Sequence, residues 1–259
     1  MKKETIKNRH GLKIVTLLEK ADQPKGLAII LHGLGGFKEQ KHIETFAQAF
    51  KKAGYTVLRY DATNSFGESE GAYEDATVTS YYQDLEDVIK WAKEQDWYIE
   101  PFVLVGHSLG GICSILYAQK YSNQVKALAP ISTVVSGTLR IEAHEKFLGK
   151  EHLENWRKTG WYESKSISKP GIIKRLPWSH IEDNLKYNIL EKADKLKFPV
   201  LLIVGDRDTS TPPEHQKLLF EALPGPKEFH IIKGSPHTFR KKEHLAEIKQ
   251  IFKDWIVKI

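Results

Sequence analysis

Short, mostly apolar runs alternate along this chain with longer segments in which apolar residues recur every three or four positions. Such runs are typical of strands that are buried on both faces of a parallel sheet. The alternation predicts an α/β fold with a mostly parallel sheet of roughly eight strands and helices on both faces. A hairpin with Gly11 at its turn precedes the first run. The runs occupy residues 27–31, 55–60, 102–105, 125–129, 199–204 and 228–232, and helical periodicity occupies residues 41–53, 80–92, 111–118, 182–193 and 245–255.

Two of the predicted helices carry recognisable start signals. Ser80 and Gln83 have the spacing of a capping box, in which each side chain bonds the backbone N–H of the other residue. Thr211 precedes Pro212, so the threonine is predicted as the N-cap and the proline as the first helical residue. This second signal places a helix soon after the run at 199–204.

The alternation of strands and helices stops near residue 132 and resumes near residue 190. The stretch between them is rich in tryptophan and lysine and has little long-range periodicity. Short helices or a hairpin over the edge of the sheet are predicted for it. The chain is therefore divided into a core, residues 1–131 and 191–259, and an insertion, residues 132–190.

Composition and charge exclude several classes of protein. With 41% apolar residues, the chain of 259 residues can bury a full core. The net charge of +6 comes from lysines interleaved with acidic residues, so no nucleic-acid-binding surface is predicted. No run approaches the ~18 apolar residues of a membrane span, and the first residues are not expected to form a signal peptide. The single cysteine, Cys113, favours a reducing, cytoplasmic location, and the histidines lack metal-binding spacing, so neither metal nor other cofactor is expected.

The stretch Gly106-His-Ser108-Leu-Gly110 lies between a predicted strand and a predicted helix. It fits the G-x-S-x-G nucleophile elbow, in which a serine occupies a strained turn and exposes its hydroxyl. Glycines are needed on either side because a side chain there would collide with the neighbouring strand or helix. Ser108 is therefore the predicted nucleophile, and the alternative is an ordinary glycine-rich turn.

A serine hydroxyl needs a base that takes its proton and an acid that orients the base. Two carboxylates follow the run at 199–204, in Gly205-Asp206-Arg-Asp208. The loops that follow parallel strands meet at one edge of the sheet, so these side chains are expected near Ser108. Asp208 is preferred as the acid because it reaches further past the strand end, whereas Asp206 could cap the turn or pair with Arg207.

The last predicted strand is followed by Gly234-Ser-Pro-His237, which supplies the predicted base, His237. Three other histidines are given different roles. His244 is predicted at a surface position inside the last helix, and His230 is predicted to be structural. His107, beside the serine, is predicted to pack rather than to transfer protons. The order serine, aspartate, histidine along the chain agrees with a triad built around such an elbow.

Two backbone N–H groups complete the predicted site. The oxyanion formed during acyl transfer is bound by the N–H after the elbow serine and by an N–H from the loop after an earlier strand. These donors are Leu109 and, within His32-Gly-Leu34-Gly-Gly36, Leu34. Donors of this kind are worth about 3 kcal/mol each.

Taken together, these motifs resemble the α/β-hydrolase superfamily, and its serine esterases in particular, over nearly the whole chain. The resemblance implies that Asp208 is the acid of the triad and that residues 132–190 form a cap. Residues 61–71 are similar to a loop of lysophospholipase-like and cinnamoyl (feruloyl) esterase-like members, although Ser65-Phe-Gly67 stands where Gly-His-Gly is usual. Four aromatic residues of the cap would either line an acyl or aryl pocket or anchor the cap: Trp156, Trp161, Tyr162 and Trp178.

The function implied by this resemblance is hydrolysis of a small acyl or aryl carboxylic ester through an acyl-enzyme, without a cofactor. A monoacylglycerol lipase or lysophospholipase, a thioesterase, an acylaminoacyl peptidase-like activity and carbon–carbon bond cleavage are alternatives that use the same triad. A ligand-binding protein without activity is the alternative of another class, and the presence of all three triad residues disfavours it. A serine at the elbow, rather than an aspartate, excludes haloalkane dehalogenases and epoxide hydrolases.

Overall fold

The main sheet has eight strands in the part of the chain that the computed structural model describes, residues 1–166 and 169–259. Strands β1 to β10 span Lys2–Lys7, Lys13–Glu19, Leu27–Leu31, Thr56–Asp61, Phe102–His107, Val125–Ile131, Trp161–Lys165, Ile173–Pro177, Val200–Gly205 and Lys227–Ile232. The order in the sheet is β1-β2-β4-β3-β5-β6-β9-β10, and β7 pairs with β8 in a separate hairpin. From β4 to β10 the strands are parallel, whereas β2 is antiparallel to β1 and β4. The predicted mostly parallel sheet is confirmed.

Helices cover both faces of this sheet. Helices α1 to α8 span Lys41–Lys52, Val78–Ala92, Leu109–Lys120, Gly137–Leu148, Lys150–Thr159, Ser179–Asn184, Pro213–Ala222 and Lys242–Ile256, and 3-10 turns span Tyr73–Asp75, Ser122–Gln124 and Ile189–Lys195. In β3, Ile29 packs into the layer of α2, α3 and α7, whereas Ile30 packs into the layer of α1 and α8. Successive side chains of a strand point to opposite faces, so a strand covered on both faces must be apolar at every position.

The order of the strands places the loops after β3 and β5 side by side. The chain leaves β3 toward β4 on one side, and it leaves β5 toward β6 on the other. A crevice forms at the carboxyl ends of strands where the order reverses in this way. The two loops that border the crevice are the one after His32 and the turn at Ser108.

Between β6 and β9 lie α4, α5, the β7–β8 hairpin and α6, so this stretch contains both short helices and a hairpin. The predicted insertion, 132–190, includes residues 167–168, which lie outside the described residues. Trp156 is buried, donates its Nε1 hydrogen to the carbonyl of Leu176 at 3.0 Å, and packs against Tyr162 and Trp178. These aromatic side chains therefore hold the insertion together.

Two helix predictions were wrong in detail. Helix α2 begins at Val78, one turn earlier than predicted, because the Thr77 hydroxyl accepts from Ser80 N–H and the Ser80 hydroxyl accepts from Thr77 N–H, both at 3.0 Å. The helix predicted at 182–193 is divided into α6 and the last 3-10 turn. The Asn188 side chain accepts from Leu190 N–H at 3.2 Å, and this bond starts a new turn.

Two further predictions on α7 and α8 were wrong. Pro212 is the N-cap of α7 and Pro213 its first residue, because the Thr211 hydroxyl faces Asp208 and Ser132 instead. His244 is buried between α8 and the core, not at the surface. No helix in the described residues is both long and apolar enough to cross a membrane.

Candidate active site

Ser108 lies in a strained turn between β5 and α3. Its backbone has φ 54° and ψ −113°, a conformation that residues other than glycine rarely adopt. A Cβ atom at Gly106 would lie 2.2 Å from the carbonyl oxygen of Gly110, and one at Gly110 would lie 2.5 Å from that of His32. Both distances are far below van der Waals contact. Glycine is therefore required on both sides of the serine, as the sequence motif predicts.

A chain of hydrogen bonds links the serine to a histidine and an aspartate. Ser108 Oγ lies 2.9 Å from His237 Nε2, and His237 Nδ1 lies 2.8 Å from Asp208 Oδ2. A carboxylate can only accept, so Nδ1 carries the hydrogen and Nε2 faces the serine hydroxyl with its lone pair. This tautomer is the one that can take a proton from Ser108.

Asp208 is held in place from its own loop. Its Oδ1 accepts from the backbone N–H groups of Ser210 and Thr211, both at 2.9 Å, and its Oδ2 lies 2.9 Å from the Thr211 hydroxyl. Burial alone would raise the pKa of Asp208, but the attraction of His237 and these hydrogen bonds outweigh it and lower the pKa. The carboxylate therefore stays ionised beneath the imidazole.

The residues considered as alternatives to Asp208 and His237 form hydrogen bonds outside the series that joins Ser108, His237 and Asp208. Asp206 Oδ1 accepts from Gly234 N–H at 2.7 Å, which ties the loop after β9 to the loop after β10. His107 is buried, and its Nε2 donates to the carbonyl of His237 at 3.0 Å. Burial and the nearby His237 lower the pKa of His107 to about 3, so it stays neutral and positions the loop. His230 lies 3.3 Å from Glu228, away from the serine.

The predicted oxyanion donors border the same crevice. Leu109 is the first residue of α3, so its N–H has no acceptor within the helix. None of the described residues accepts a hydrogen bond from Leu34 N–H. A Cβ atom at Gly33 would lie 3.0 Å from Ser108 Cβ, which shows how closely this loop approaches the serine. His32 fixes the loop through both ring nitrogens. Its Nδ1 donates to the Gly33 carbonyl at 2.8 Å, and its Nε2 accepts from the backbone N–H of Ala62, just after β4, at 3.0 Å.

A buried ion pair fastens the same loop to the segment after β4, and sequence patterns gave no indication of it. Lys38 donates to Asp61 from its backbone N–H and from its Nζ, both at 2.7 Å. Lys38 Nζ also lies 2.5 Å from Glu68 Oε2, and Glu68 N–H donates to Asp61 at 2.8 Å. A Cβ atom at Gly67 would lie 2.1 Å from the Asp61 carboxyl carbon, so the departure Ser65-Phe-Gly67 retains the one glycine that this contact requires.

Phe66, which stands where the usual Gly-His-Gly has its histidine, supports the loop that carries Leu34. Its ring stacks on Tyr73 with centroids 4.7 Å apart and planes inclined by 20°. A Cβ atom at Gly35 would lie 2.8 Å from the Tyr73 ring and 3.1 Å from the Phe66 ring. The two aromatic rings therefore pack directly against the loop at Gly35.

A cavity of about 150 Å³ opens at the serine. Its wall includes Ser108 and His237 from the core, and Arg140 and Lys174 from the insertion. A cavity of about this size accepts a molecule such as benzene. The four aromatic residues of the predicted cap do not contribute to the wall. Three of them, Trp156, Tyr162 and Trp178, pack together and support the anchoring role, whereas Trp161 is exposed.

Similarities to known proteins agree with this geometry. The family model described as serine aminopeptidase, S33 (Hydrolase_4) matches residues 22–180. An Escherichia coli protein described as an uncharacterized 31.7 kDa protein in the traX-finO intergenic region is 27% identical over 232 residues, which cover 79% of this chain and 80% of that protein. Mitochondrial palmitoyl-protein thioesterase ABHD10 from Bos taurus is 28% identical over 162 residues, which cover 62% of this chain and 50% of that protein.

Solved structures show the same fold. Est1E from Butyrivibrio proteoclasticus, with ferulic acid bound, has a TM-score of 0.80 and 22% identity, and the match covers 98% of both chains. The predicted resemblance to the α/β-hydrolase superfamily is thus confirmed. Because the family model covers more than half of its residues, the chain belongs to the Hydrolase_4 (serine aminopeptidase, S33) family and is a hydrolase with the α/β-hydrolase fold.

Proposed function

We propose that this protein cleaves carboxylic esters, with Ser108 as nucleophile, His237 as general base and acid, and Asp208 as the acid that orients the histidine. The observation that carries the proposal is the pair of hydrogen bonds, 2.9 Å and 2.8 Å long, that joins these three side chains in series. A serine activated in this way attacks acyl carbonyl groups.

The reaction proceeds in two halves. Ser108 Oγ attacks the ester carbonyl while His237 Nε2 takes its proton, and the ionised Asp208 stabilises the resulting imidazolium. The N–H groups of Leu34 and Leu109 bind the oxyanion. His237 then returns the proton to the departing alcohol, which leaves an acyl-enzyme. A water molecule, deprotonated by the same histidine, releases the acid and restores the serine.

The substrate is a small acyl or aryl ester. The cavity of about 150 Å³ supports this size, because pockets for larger organic ligands hold about 300–1,000 Å³. The aryl option is supported by the ferulic acid bound to Est1E, and a thioester is the second candidate because ABHD10 is a palmitoyl-protein thioesterase. Long acyl chains, as in lysophospholipids and monoacylglycerols, fit this cavity less well. A cytoplasmic location belongs to the proposal, since the one cysteine, Cys113, is free and buried.

The test compares the wild type with Ser108→Ala on short p-nitrophenyl esters, p-nitrophenyl ferulate and the matching acyl thioesters. We expect turnover of the esters by the wild type and loss of nearly all of it in the variant. Ser122→Ala, in an exposed 3-10 turn, is the matched control and should behave as the wild type.

A fluorophosphonate probe separates a hydrolase from a ligand-binding protein, because it reacts only with an activated serine. Labelling of the wild type but not of Ser108→Ala supports the proposal. Equal turnover by the two proteins, or a wild type that the probe does not label, would refute it. A preference for thioesters over esters of the same acid would select the second candidate.

A further inference from the structure

Two cationic side chains from the insertion line the cavity of Ser108. Arg140 comes from α4, and Lys174 comes from β8. Neither has a part in the chemistry proposed for the triad. Both stand close enough to the serine to share one cavity of about 150 Å³ with it.

Neither cation has a protein partner among residues 1–166 and 169–259. The Nε atom of Arg140 is buried and lacks a hydrogen-bond partner there, and Lys174 Nζ forms no ion pair or hydrogen bond with these residues. Cations nearby on the same elements are paired: Lys146 of α4 with Glu214 at 2.6 Å, and Arg175 of β8 with Glu163 at 2.8 Å. The two that face the cavity are therefore exceptions on their own helix and strand.

In the part of the chain that the structure describes, no carboxylate forms an ion pair or a hydrogen bond with Arg140. Its electrostatic interactions include those with Tyr73, His144, His180 and Lys174, none of which is a carboxylate. Burial lowers the pKa of Arg140, and burial followed by the charge of Arg140 lowers the pKa of Lys174. Both side chains are half-buried, and an unpaired cation that has lost part of its water is costly. Two cations that face one cavity also repel each other, so an anion between them would reduce both penalties.

We infer that the substrate of Ser108 carries an anionic group, a carboxylate or a phosphate, which Arg140 and Lys174 bind while the scissile carbonyl lies at the serine. A guanidinium offers paired N–H donors that match such a group, and an ammonium adds a second charge beside it. Because both cations line the same cavity as Ser108, the anion is expected only a few bonds away from the carbonyl. This inference rests on the proposed function and specifies its substrate class.

Kinetics test the inference on both halves of the substrate. For the acyl half, p-nitrophenyl hydrogen glutarate is compared with p-nitrophenyl pentanoate. For the leaving half, 4-acetoxybenzoate is compared with phenyl acetate, each rate corrected for uncatalysed hydrolysis. In at least one pair, the anionic ester should have the higher kcat/KM, by a factor on the order of 10 to 100. The pair that shows the preference identifies the half that carries the anion.

Variants assign the preference to the two cations. Arg140→Gln and Lys174→Gln should each remove most of it, and Lys174→Arg should restore it. Arg175→Gln and Lys146→Gln, which remove the paired cations of the same elements, should retain it. If Arg140→Gln does not fold, Lys174→Gln in the hairpin carries the test.

Equilibrium binding keeps the inference separate from catalysis. Calorimetry measures the affinities of two variants for the same four esters. The variants are Ser108→Ala and the double variant Ser108→Ala/Lys174→Gln. Tighter binding of an anionic ester that disappears with Lys174→Gln supports the inference, even if the wild type hydrolyses none of them and the proposed function fails. Equal affinity for anionic and neutral esters, or a preference that survives both Gln variants, overturns it.

Discussion

Lys38→Met removes the cation from the buried pair that fastens the Leu34 loop to the segment after β4. The side chains of Lys38 and Asp61 are both 0% exposed. Methionine has about the length of the lysine stem, so the substitution changes the charge while leaving the space filled. The Asp61 carboxylate then stays buried without its counter-ion.

The expected loss of stability is about 3 kcal/mol. Removing one partner of a buried ion pair costs about 3–5 kcal/mol, because the charge left behind has lost its water and its partner. Two backbone donors remain on Asp61, the N–H groups of Lys38 and Glu68, at 2.7 and 2.8 Å. They still stabilise the carboxylate, so the lower end of that range applies.

Equilibrium unfolding in urea measures this loss. With a slope of about 3 kcal/mol per molar, the midpoint should fall by about 1 M. The melting temperature should fall by roughly 6–12 °C, at about 2–4 °C per kcal/mol for a chain of this size class. Lys51→Met is the control, because Lys51 is 56% exposed and its partner Glu19 keeps a second cation, Arg59. Exposed pairs contribute about 0–1 kcal/mol, so the control should change little.

The double variant Lys38→Met/Asp61→Asn distinguishes an unpaired charge from a packing defect. If the loss arises from the stranded carboxylate, removing that charge as well should recover about 1 kcal/mol or more. Two outcomes would refute the reasoning. One is a loss below about 1 kcal/mol in the free energy of unfolding of Lys38→Met. The other is a double variant that is clearly less stable than Lys38→Met alone.

Four further predictions concern Asp208, the insertion and the segment that contacts Asp61. Asp208→Asn should lower kcat on p-nitrophenyl acetate by about 10⁴-fold, because an amide no longer selects the tautomer of His237. Since the pKa of Asp208 is lowered on folding, its ionisation stabilises the wild type fully above the unfolded value of ~3.9, and this contribution is lost as the pH falls below that value. As the pH is lowered from about 5 to about 2, the melting temperature should therefore fall more for the wild type than for Asp208→Asn. Trp156→Ala should cost about 3–5 kcal/mol in urea unfolding, whereas Trp161→Ala, at a 40% exposed site, should cost much less. Gly67→Ala should lower the stability by about 3 kcal/mol or prevent folding, because its Cβ would lie 2.1 Å from a carboxylate carbon.

Each of these has an outcome that contradicts it. An Asp208→Asn enzyme with more than a tenth of the wild-type kcat would remove Asp208 from the triad. Equal losses for Trp156→Ala and Trp161→Ala would mean that burial does not decide which aromatic anchors the insertion. A Gly67→Ala protein with the wild-type urea midpoint would show that the Asp61 segment yields easily.

Local patterns predicted the sheet and the turn at Ser108 well because short-range chemistry determines both. An unbroken apolar run such as residues 27–31 fits only an element covered on both faces, and β3 is such a strand. The elbow motif predicts its own geometry, because a Cβ atom added at Gly106 or at Gly110 would lie within 2.5 Å of a carbonyl oxygen. Helix starts were predicted less well because Thr77 and Ser80 can both act as caps, and in the structure Ser80 is the second member of the capping box that Thr77 begins.

Contacts between distant segments could not be predicted in this way. Lys38 stands in a loop of charged and polar residues, and its partners Asp61 and Glu68 lie 23 and 30 residues further along the chain. Similarly, Thr211 has every local property of a helix cap. Its hydroxyl is instead used at Asp208, because β9 and β6 bring Ser132 and the aspartate together. In each case the deciding partner is distant in sequence, so no window of neighbouring residues contains the information.

The residues that competed with His237 and Asp208 for the catalytic roles explain how the base is held. Asp206 fixes the start of the His237 loop through Gly234 N–H, and His107 fixes its end through the carbonyl of His237 itself. The proposed base lies 2.9 Å from the serine and should not sit in a mobile loop, since about 1 Å of misplacement can cost 10²-fold in rate. Acidic and imidazole side chains are therefore concentrated here for two reasons, chemistry and positioning. The hydrogen-bond partners of each side chain, rather than its residue type, distinguish the proposed catalytic residues from those that position the loop.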